Sequence, residues 1–239
     1  PLPPPRHGVS AVNEAVLALA TSEGFSVTCL NTAPASLERS IKVRVRRLVN
    51  VIKAIGGVGR FTCQYSHAAV YLSLSGGWGL AYEAVIAWRA KRAGARIVVH
   101  HHSFRYLDGP FWPMRILVKA AGPQAVHVVL GGLMAERLRA RYPAVGPVMV
   151  MSNAQFIIGE GKASEKLRTV GYLSNLSAAK GLDDVLAAAE SSLGRGWPLQ
   201  FIIAGPFENP ADNAKYTRRM KSLGNVRYLG AVQGAAKEE

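Results

Sequence analysis

Four segments of the chain combine glycine, hydroxyl, amide, imidazole and ammonium groups, which are groups that bind phosphate and sugar oxygens. These segments are Pro5–Ser10, His100–Phe104, Ser152–Asn153 and Ser174–Gly181. Runs of apolar and β-branched residues that predict strands precede the last three. Because ligands of open parallel sheets bind beyond the carboxyl ends of the strands, these segments are the candidate binding positions.

The segment around Gly8 has the composition of an anion-binding helix start. Ser10 is a suitable N-cap for a helix that ends near Gly24, and His7 lies beside the glycine. A glycine at this position lets backbone N–H groups approach a phosphate or sugar oxygen, which the helix dipole favours. The alternative is a proline-rich turn that only reverses the chain.

The three consecutive histidines end a predicted strand over Arg96–His100. Side chains alternate along a strand, so only His100 and His102 share a face. No cysteine or acidic residue lies nearby to complete a metal site. The residue types therefore favour ordinary strand-end histidines or polar contacts to a ligand over a metal.

Lys180 and Gly181 precede a helix predicted over 182–192. A cation at a helix start opposes the macrodipole, so its position is better explained by a bound diphosphate than by helix stability. A solvated lysine before a glycine turn is the alternative. Asn153, which follows a predicted strand, is either a turn former or a secondary ligand residue.

Several common enzyme classes lack their motifs here. The chain contains no phosphate loop of the G-x-x-x-x-G-K-[ST] type, no G-x-G-x-x-G, no Asp-x-Asp and no G-x-S-x-G. P-loop nucleotidases, dehydrogenases and serine hydrolases are therefore disfavoured. No metal or other cofactor is expected.

The order of predicted elements indicates an α/β fold with two Rossmann-like domains, the second of them incomplete. We expect an N-terminal domain over 1–153 that lacks its first strand, a linker over 154–166, and a partial C-terminal domain over 167–239. One of the first domain's strands is predicted over Phe25–Leu30, from its β-forming residues. Cys29 and Cys63 are expected to be buried thiols in a reducing interior.

The chain is strongly basic, with 29 Lys+Arg, 15 Asp+Glu and a formal net charge of +14. Residues 38–55 form an amphipathic basic helix pattern, which fits a surface helix, contact with an anionic membrane, or, least well, nucleic acid. No segment is apolar enough to span a bilayer, and no signal peptide opens the chain. We expect a cytoplasmic protein, peripheral at the inner face of the membrane, that does not bind nucleic acid.

Six segments in order resemble the family 4 glycosyltransferases, which are retaining enzymes of the GT-B fold. They are PLPPPRHGVSAVN, IVVHHHSF, VMVMSNA, VGYLSNLSAAKGLDDVLAAA, LQFIIAGP and NVRYLGAV. The resemblance implies a bacterial enzyme of polysaccharide or glycoconjugate biosynthesis. It would transfer a hexosyl unit from a nucleotide diphosphate sugar to a hydroxyl of a lipid-linked or saccharide acceptor, without a metal.

The resemblance also assigns roles. It implies that His102 contacts the transferred sugar as the catalytic residue, with His100 secondary, and that Gly8, His7 and Ser10 form the acceptor or phosphate loop. Donor binding falls to a set in the second domain: Lys180, Asn175, Gly181, Gly230 and Val232. Many relatives have an arginine where this chain has Asn175, so more of the diphosphate's charge would rest on Lys180.

The family pattern continues with an acidic motif, Glu–seven residues–Glu, that does not occur before Glu239. The sequence is therefore expected to be truncated at both ends and inactive alone. Two other interpretations remain open: a non-catalytic GT-B protein that binds a membrane or protein partner, and a sugar-nucleotide epimerase of the same fold.

Overall fold

The structure is a computed structural model that describes residues 2, 8–32, 41–74, 76–156 and 168–232, with the side chains of 41–44 excepted. It divides into two compact units, Pro1–Gly159 and Glu160–Glu239. Each unit has its own parallel sheet. The predicted linker falls partly on residues 157–167, which lie outside the described residues.

The first unit contains a sheet of four parallel strands in the order β1-β2-β3-β4. They are β1 (Ala69–Ser73), β2 (Arg96–His100), β3 (Val126–Val129) and β4 (Val148–Val150). Ser73 pairs with His100, and His100 pairs with Val128, so the carboxyl ends of three strands lie level at one edge. That edge carries the histidine segment.

Six α-helices of the first unit are described: α1 (Gly8–Ser22), α2 (Ile41–Gln64), α3 (Leu80–Arg92), α4 (Arg105–Asp108), α5 (Trp112–Ala121) and α6 (Gly132–Arg141). The strands follow one another in spatial order, so right-handed crossovers place α3, α5 and α6 on one face of the sheet. Their buried residues form one core with the strands, in which Leu80, Met114, Leu117 and Leu138 are fully buried.

The prediction of a strand over Phe25–Leu30 is wrong. These residues have no regular structure, and Phe25 is 69% exposed. A strand forms only where a neighbouring strand takes its hydrogen bonds, and no described strand pairs with this segment. Leu30 instead lies against α2, where its side chain is about 3.0 Å from the position that a Cβ on Gly57 would occupy.

The expectation of buried thiols is also wrong, since Cys29 and Cys63 are both exposed. Cys29 lies in the unpaired segment, and Cys63 lies on the solvent side of the last turn of α2. The basic helix predicted over 38–55 extends further than expected, to Gln64. Helices α4 and α5 were not predicted from the sequence.

The second unit has three parallel strands in the order β5-β6-β7: β5 (Thr169–Leu173), β6 (Gln200–Ala204) and β7 (Val226–Tyr228). Helices α7 (Leu182–Gly194) and α8 (Asn213–Lys221) connect them, each preceded by a 3-10 turn, Ala178–Lys180 and Pro210–Asp212. A separate core of six buried residues holds this unit together: Leu176, Leu182, Leu186, Ile203, Tyr216 and Met220. Among the described residues, no helix is long and apolar enough to cross a bilayer.

Candidate functional site

His100 and His102 lie together at the carboxyl end of β2, as the alternation of side chains predicts. Their rings are 4.0 Å apart, and Nδ1 of His100 is 2.5 Å from the hydroxyl of Tyr71 on the neighbouring strand. His100 is fully buried and His102 is partly buried. Within the described part of the chain, Nε2 of each ring has no hydrogen-bond partner. Both rings therefore retain a nitrogen with unused hydrogen-bonding capacity, and both of these atoms are buried.

His101 points to the opposite face and belongs to a buried chain of hydrogen bonds. Its Nδ1 lies 3.0 Å from the hydroxyl of Tyr106, and its Nε2 lies 2.9 Å from Nδ1 of His127 on β3. Both contacts are satisfied when the Tyr106 hydroxyl donates to His101 Nδ1 and His101 Nε2–H donates to His127 Nδ1, an arrangement that leaves the proton of His127 on Nε2.

Burial keeps these four imidazoles neutral. Desolvation lowers the pKa of His100, His102 and His127 to about 4 each, with His100 contributing to the shift at His102. The pKa of His101 is lowered well below its ordinary value, by burial first and by His127 second. A neutral imidazole can donate from one nitrogen and accept at the other, so this edge offers polar contacts without positive charge at neutral pH.

Two glycines bring the loop after β1 against the loop after β2. A Cβ on Gly76 would lie 2.7 Å from Oγ of Ser103, and one on Gly77 would lie 3.6 Å from a guanidinium nitrogen of Arg105. A side chain at Gly76 would therefore displace Ser103. The absence of these side chains keeps the loop that carries His102 close to the end of β1.

Helix α1 starts two residues earlier than its proposed cap. Ser10 is buried inside the helix, so its expected role as N-cap is wrong; the helix begins at Gly8, which is exposed. His7 lies outside the described residues. Helix α1 contacts the 3-10 turn Asn153–Phe156, which follows β4. Helix α1, which begins at Gly8, and the exposed residue Asn153 are therefore neighbours in the first unit.

In the second unit, three strand ends meet around Gly205. Its φ is +131°, and a Cβ there would lie 1.7 Å from the carbonyl oxygen of Ser174, so no other residue fits without moving the backbone. The Gly205 N–H donates to the carbonyl of Gly230 at 2.7 Å, and its own carbonyl accepts from the Tyr228 hydroxyl at 3.0 Å. The loops after β5, β6 and β7 are therefore held together by backbone contacts.

The candidate donor residues lie on these loops. Asn175 and Lys180 are exposed, and Gly181 adopts a left-handed conformation with φ +83° as the N-cap of α7. The hydroxyl of Tyr172 donates to the Lys180 carbonyl at 2.8 Å, which fixes the turn before the helix. Gly230 and Val232 follow β7 and are both partly exposed.

The first turn of α7 also contains Asp183 and Asp184, two negative charges that would repel an anion. The Asp183 carboxylate is engaged elsewhere: it accepts from the Tyr216 hydroxyl at 2.9 Å and from the Arg219 guanidinium at 3.0 Å, both on α8. Arg219 also contacts Glu190 at 3.0 Å. Arg219 thus offsets the charge of Asp183, whereas Asp184 has no ion-pair partner among the described residues and leaves one negative charge beside the helix start.

In the described ranges, no group of three or more His, Cys, Asp and Glu side chains is arranged to hold a metal ion. The clustered histidines fail as a metal site for a geometric reason. His101 and His127 direct nitrogens at each other and at Tyr106, whereas His100 and His102 lie on the other face.

Comparison with solved structures gives the fold. The chain is 18% identical to Anabaena Alr3699/HepE, solved in complex with UDP, with a TM-score of 0.52 over 91% of this chain and 59% of that one. The fold is of the GT-B type. A pneumococcal O-GlcNAc transferase, GtfA, solved with UDP and GlcNAc, is 13% identical with a TM-score of 0.46 over 74% of this chain and 37% of that one.

The GT-B likeness extends over less than two thirds of either solved chain. No family model matches the sequence, and a search of curated proteins finds no match. The expected α/β fold with Rossmann-like units is thus confirmed, whereas membership of family 4 stays a prediction.

Three of the residues that organise these sites were missed by sequence reasoning. His127 lies 26 positions from His101 and reaches it through the pairing of β2 with β3, whereas Tyr106, five positions after His101, reaches it from the short helix α4. Gly205 is part of an Ala-Gly-Pro sequence that indicates an ordinary turn. A histidine inside an apolar strand such as β3 was the one available signal.

Proposed function

We propose that the chain forms part of a glycosyltransferase whose second unit binds a nucleotide diphosphate sugar. The observation that carries the proposal is the meeting of Ser174, Gly205 and Gly230 beside the start of α7, where Lys180 is exposed. Backbone N–H groups that no side chain covers, a helix N-terminus and a lysine are groups that bind a diphosphate. The GT-B fold shared with HepE, solved with UDP, supports the same ligand class.

The proposed chemistry stabilises the leaving group. As the bond between the sugar and the diphosphate breaks, negative charge develops on the diphosphate, and Lys180 with the N–H groups of α7 would offset it. Asn175 would add a hydrogen bond, Gly181 allows close approach of the backbone, and backbone groups at Gly230 and Val232 would bind the nucleobase. No metal is needed for this step.

The first unit would bind the sugar and its acceptor. His102 has an unpartnered, buried Nε2 and stays neutral at pH 7, so it can hydrogen-bond a sugar hydroxyl. The hydroxyl of a lipid-linked or saccharide acceptor would be contacted by Gly8, by the helix that contains Ser10, and by Asn153. A hexosyl unit as the transferred group, retention of configuration and membership of family 4 follow from the sequence resemblance.

The basic surplus supports a peripheral location at the inner face of the membrane. The net charge is +14, and α2 is amphipathic and carries six Lys and Arg residues and no acidic residue. A cytoplasmic protein with such a helix would meet anionic lipids there. Bacterial origin and a role in polysaccharide biosynthesis are part of the same proposal.

Ligand-observed NMR with UDP and GDP tests donor binding. We expect one of the two nucleotides to bind at millimolar concentration or below, and Lys180→Ala to weaken that binding about 10-fold or more, since charged hydrogen bonds contribute about 1.5–3 kcal/mol. Lys221→Ala, an exposed lysine at the end of α8, is the matched control. Equal binding by wild type and Lys180→Ala would refute the assigned role.

A further inference from the structure

The outer surface of three adjacent helices in the first unit is apolar and cationic. Helix α3 packs against both α2 and α5. Ten large apolar side chains on or beside these helices are exposed: Val45, Leu48, Val49, Ile52, Trp78, Tyr82, Val85, Trp88, Trp112 and Ile116. The only acidic residue of the three helices is Glu83, which is buried. We name this surface the helical face.

We propose that the helical face binds the surface of an anionic lipid bilayer. This inference rests on the proposed peripheral location and deepens it, because it places the contact on α3 and α5 as well as on α2. Soluble domains rarely expose this many large apolar side chains on adjacent helices without a function. Cations interspersed with aliphatic and aromatic side chains match anionic headgroups above an acyl interior.

The aromatic residues are of the type and arrangement found at membrane interfaces. Trp78 and Trp112 pack edge to face with centroids 5.7 Å apart, and they are 63% and 54% exposed. Trp88 lies under the guanidinium of Arg92 at 5.3 Å, and Tyr82 lies under that of Arg47 at 5.7 Å. Tryptophan and tyrosine concentrate at the headgroup level because their rings are amphipathic.

A shallow, open depression on α2, bordered by Arg89 of α3, provides a position for a headgroup phosphate. It has a volume of about 540 Å³, and its lining residues include two cations, Arg60 and Arg89, and no acid. Gly59 makes room for Arg89: a Cβ there would lie 2.5 Å from a guanidinium nitrogen. Guanidinium groups bind phosphate by paired hydrogen bonds, so the depression suits a phosphodiester headgroup.

An anionic bilayer explains the helical face better than an acidic protein does. An acidic protein would pair with the cations but would leave the exposed aliphatic side chains of α2 and α5 in contact with polar groups. At a bilayer surface, the cations would contact the headgroups, and the aliphatic side chains would enter the acyl region beneath them. We therefore assign the bilayer as the occupant.

Vesicle binding of the whole chain tests the proposal. Vesicles of phosphatidylcholine with brominated phosphatidylglycerol should quench the tryptophan fluorescence, and sedimentation with these vesicles should weaken as salt rises. Arg60→Gln with Arg89→Gln should lower the affinity about 25-fold, at roughly fivefold for each cation near the surface. Circular dichroism melting establishes that the double variant is folded.

A matched pair of tryptophans gives the internal control. Trp88 stacks with Arg92 on the helical face, and Trp197 stacks with Arg195 in the second unit, with cation–ring distances of 5.3 and 5.1 Å. Trp88→Phe should remove part of the quenching by brominated lipid, whereas Trp197→Phe should leave the lipid-dependent loss of intensity unchanged. Equal effects of the two substitutions would overturn the assignment of the helical face.

Three further outcomes would overturn the proposal. They are equal binding to neutral vesicles, retention of full affinity by the double arginine variant, and self-association in sedimentation velocity that buries the helical face without lipid. Displacement from vesicles by millimolar glycerophosphate would identify a site for soluble phosphate instead. UDP binding, measured without vesicles, should be unchanged in the double variant, and Lys180→Ala should still bind vesicles, so the two proposals fail separately.

Discussion

Nε2 of His101 lies 2.9 Å from Nδ1 of His127, so two buried imidazoles on neighbouring strands share one proton. Tyr106 continues the chain on the other side of His101 at 3.0 Å. This chain fixes the segment that leads from β2 to His102. The polar groups of the candidate sugar site are therefore positioned by residues that themselves face away from it.

Tyr106→Phe removes the hydroxyl that bonds to His101 Nδ1. The buried imidazole nitrogen is then left without its partner, which we expect to lower the free energy of unfolding by about 1–3 kcal/mol. Urea denaturation followed by circular dichroism measures the change. Tyr65→Phe, at an exposed position, should have little effect. Indistinguishable midpoints for the two variants would show that the bond contributes nothing.

The histidine cluster predicts acid sensitivity of the first unit. His127 has a pKa of about 4 in the folded chain and an ordinary value of 6.5, so the unfolded chain binds more protons between these limits. Stability should therefore fall as pH decreases from about 6.5 to about 4, and should be independent of this group above 6.5. The full effect of His127 is about 3 kcal/mol, at about 1.4 kcal/mol for each pKa unit.

His127→Gln removes one titrating group from the cluster. The variant should be less stable at pH 7 but should lose less stability between pH 7 and pH 5 than the wild type does. Urea unfolding at the two pH values gives the comparison. An identical pH dependence in both proteins would mean that His127 does not titrate in this range.

Gly205→Ala tests the meeting of strand ends in the second unit. Alanine at φ +131° is strained, and its Cβ would overlap the Ser174 carbonyl, so we expect a loss of about 3 kcal/mol or more. Amide hydrogen exchange of Phe201–Ile203 in β6 reports the local opening. Gly224→Ala is the control because its Cβ would meet nothing within 4 Å. Slow exchange preserved in Gly205→Ala would contradict the predicted overlap.

Tyr172→Phe tests whether the turn before α7 must be held for nucleotide binding. Loss of the 2.8 Å bond to the Lys180 carbonyl should weaken UDP or GDP binding about 3- to 10-fold, less than removal of the lysine itself. Ligand-observed NMR measures both variants under one condition. A loss larger than that of Lys180→Ala would show that the turn, and not the lysine charge, governs binding.

The sequence predicts those parts of the fold that depend on local pattern. The run Arg96–His100 is a strand as expected, and the helix over 182–192 ends only two residues later than predicted. The alternation of side chains also correctly separates His101 from His100 and His102. These features follow from the geometry of one strand or one helix.

Features that depend on distant partners were not predictable in the same way. Phe25–Leu30 has the composition of a strand, yet pairing decides whether a strand forms, and no described strand pairs with it. Helix α5 begins with Trp112-Pro113. In a sequence, a proline is easily taken for a loop residue, although it also suits the first turn of a helix. His127 acquires its role only through the order of strands, and Tyr106 acquires its role through the unpredicted helix α4.

Each unit buries its own set of apolar side chains: Leu80, Met114 and Leu138 in one, Leu186 and Ile203 in the other. A substitution that repacks one interior therefore needs no compensating change in the other. Under selection, each half can therefore diversify while its companion stays constant.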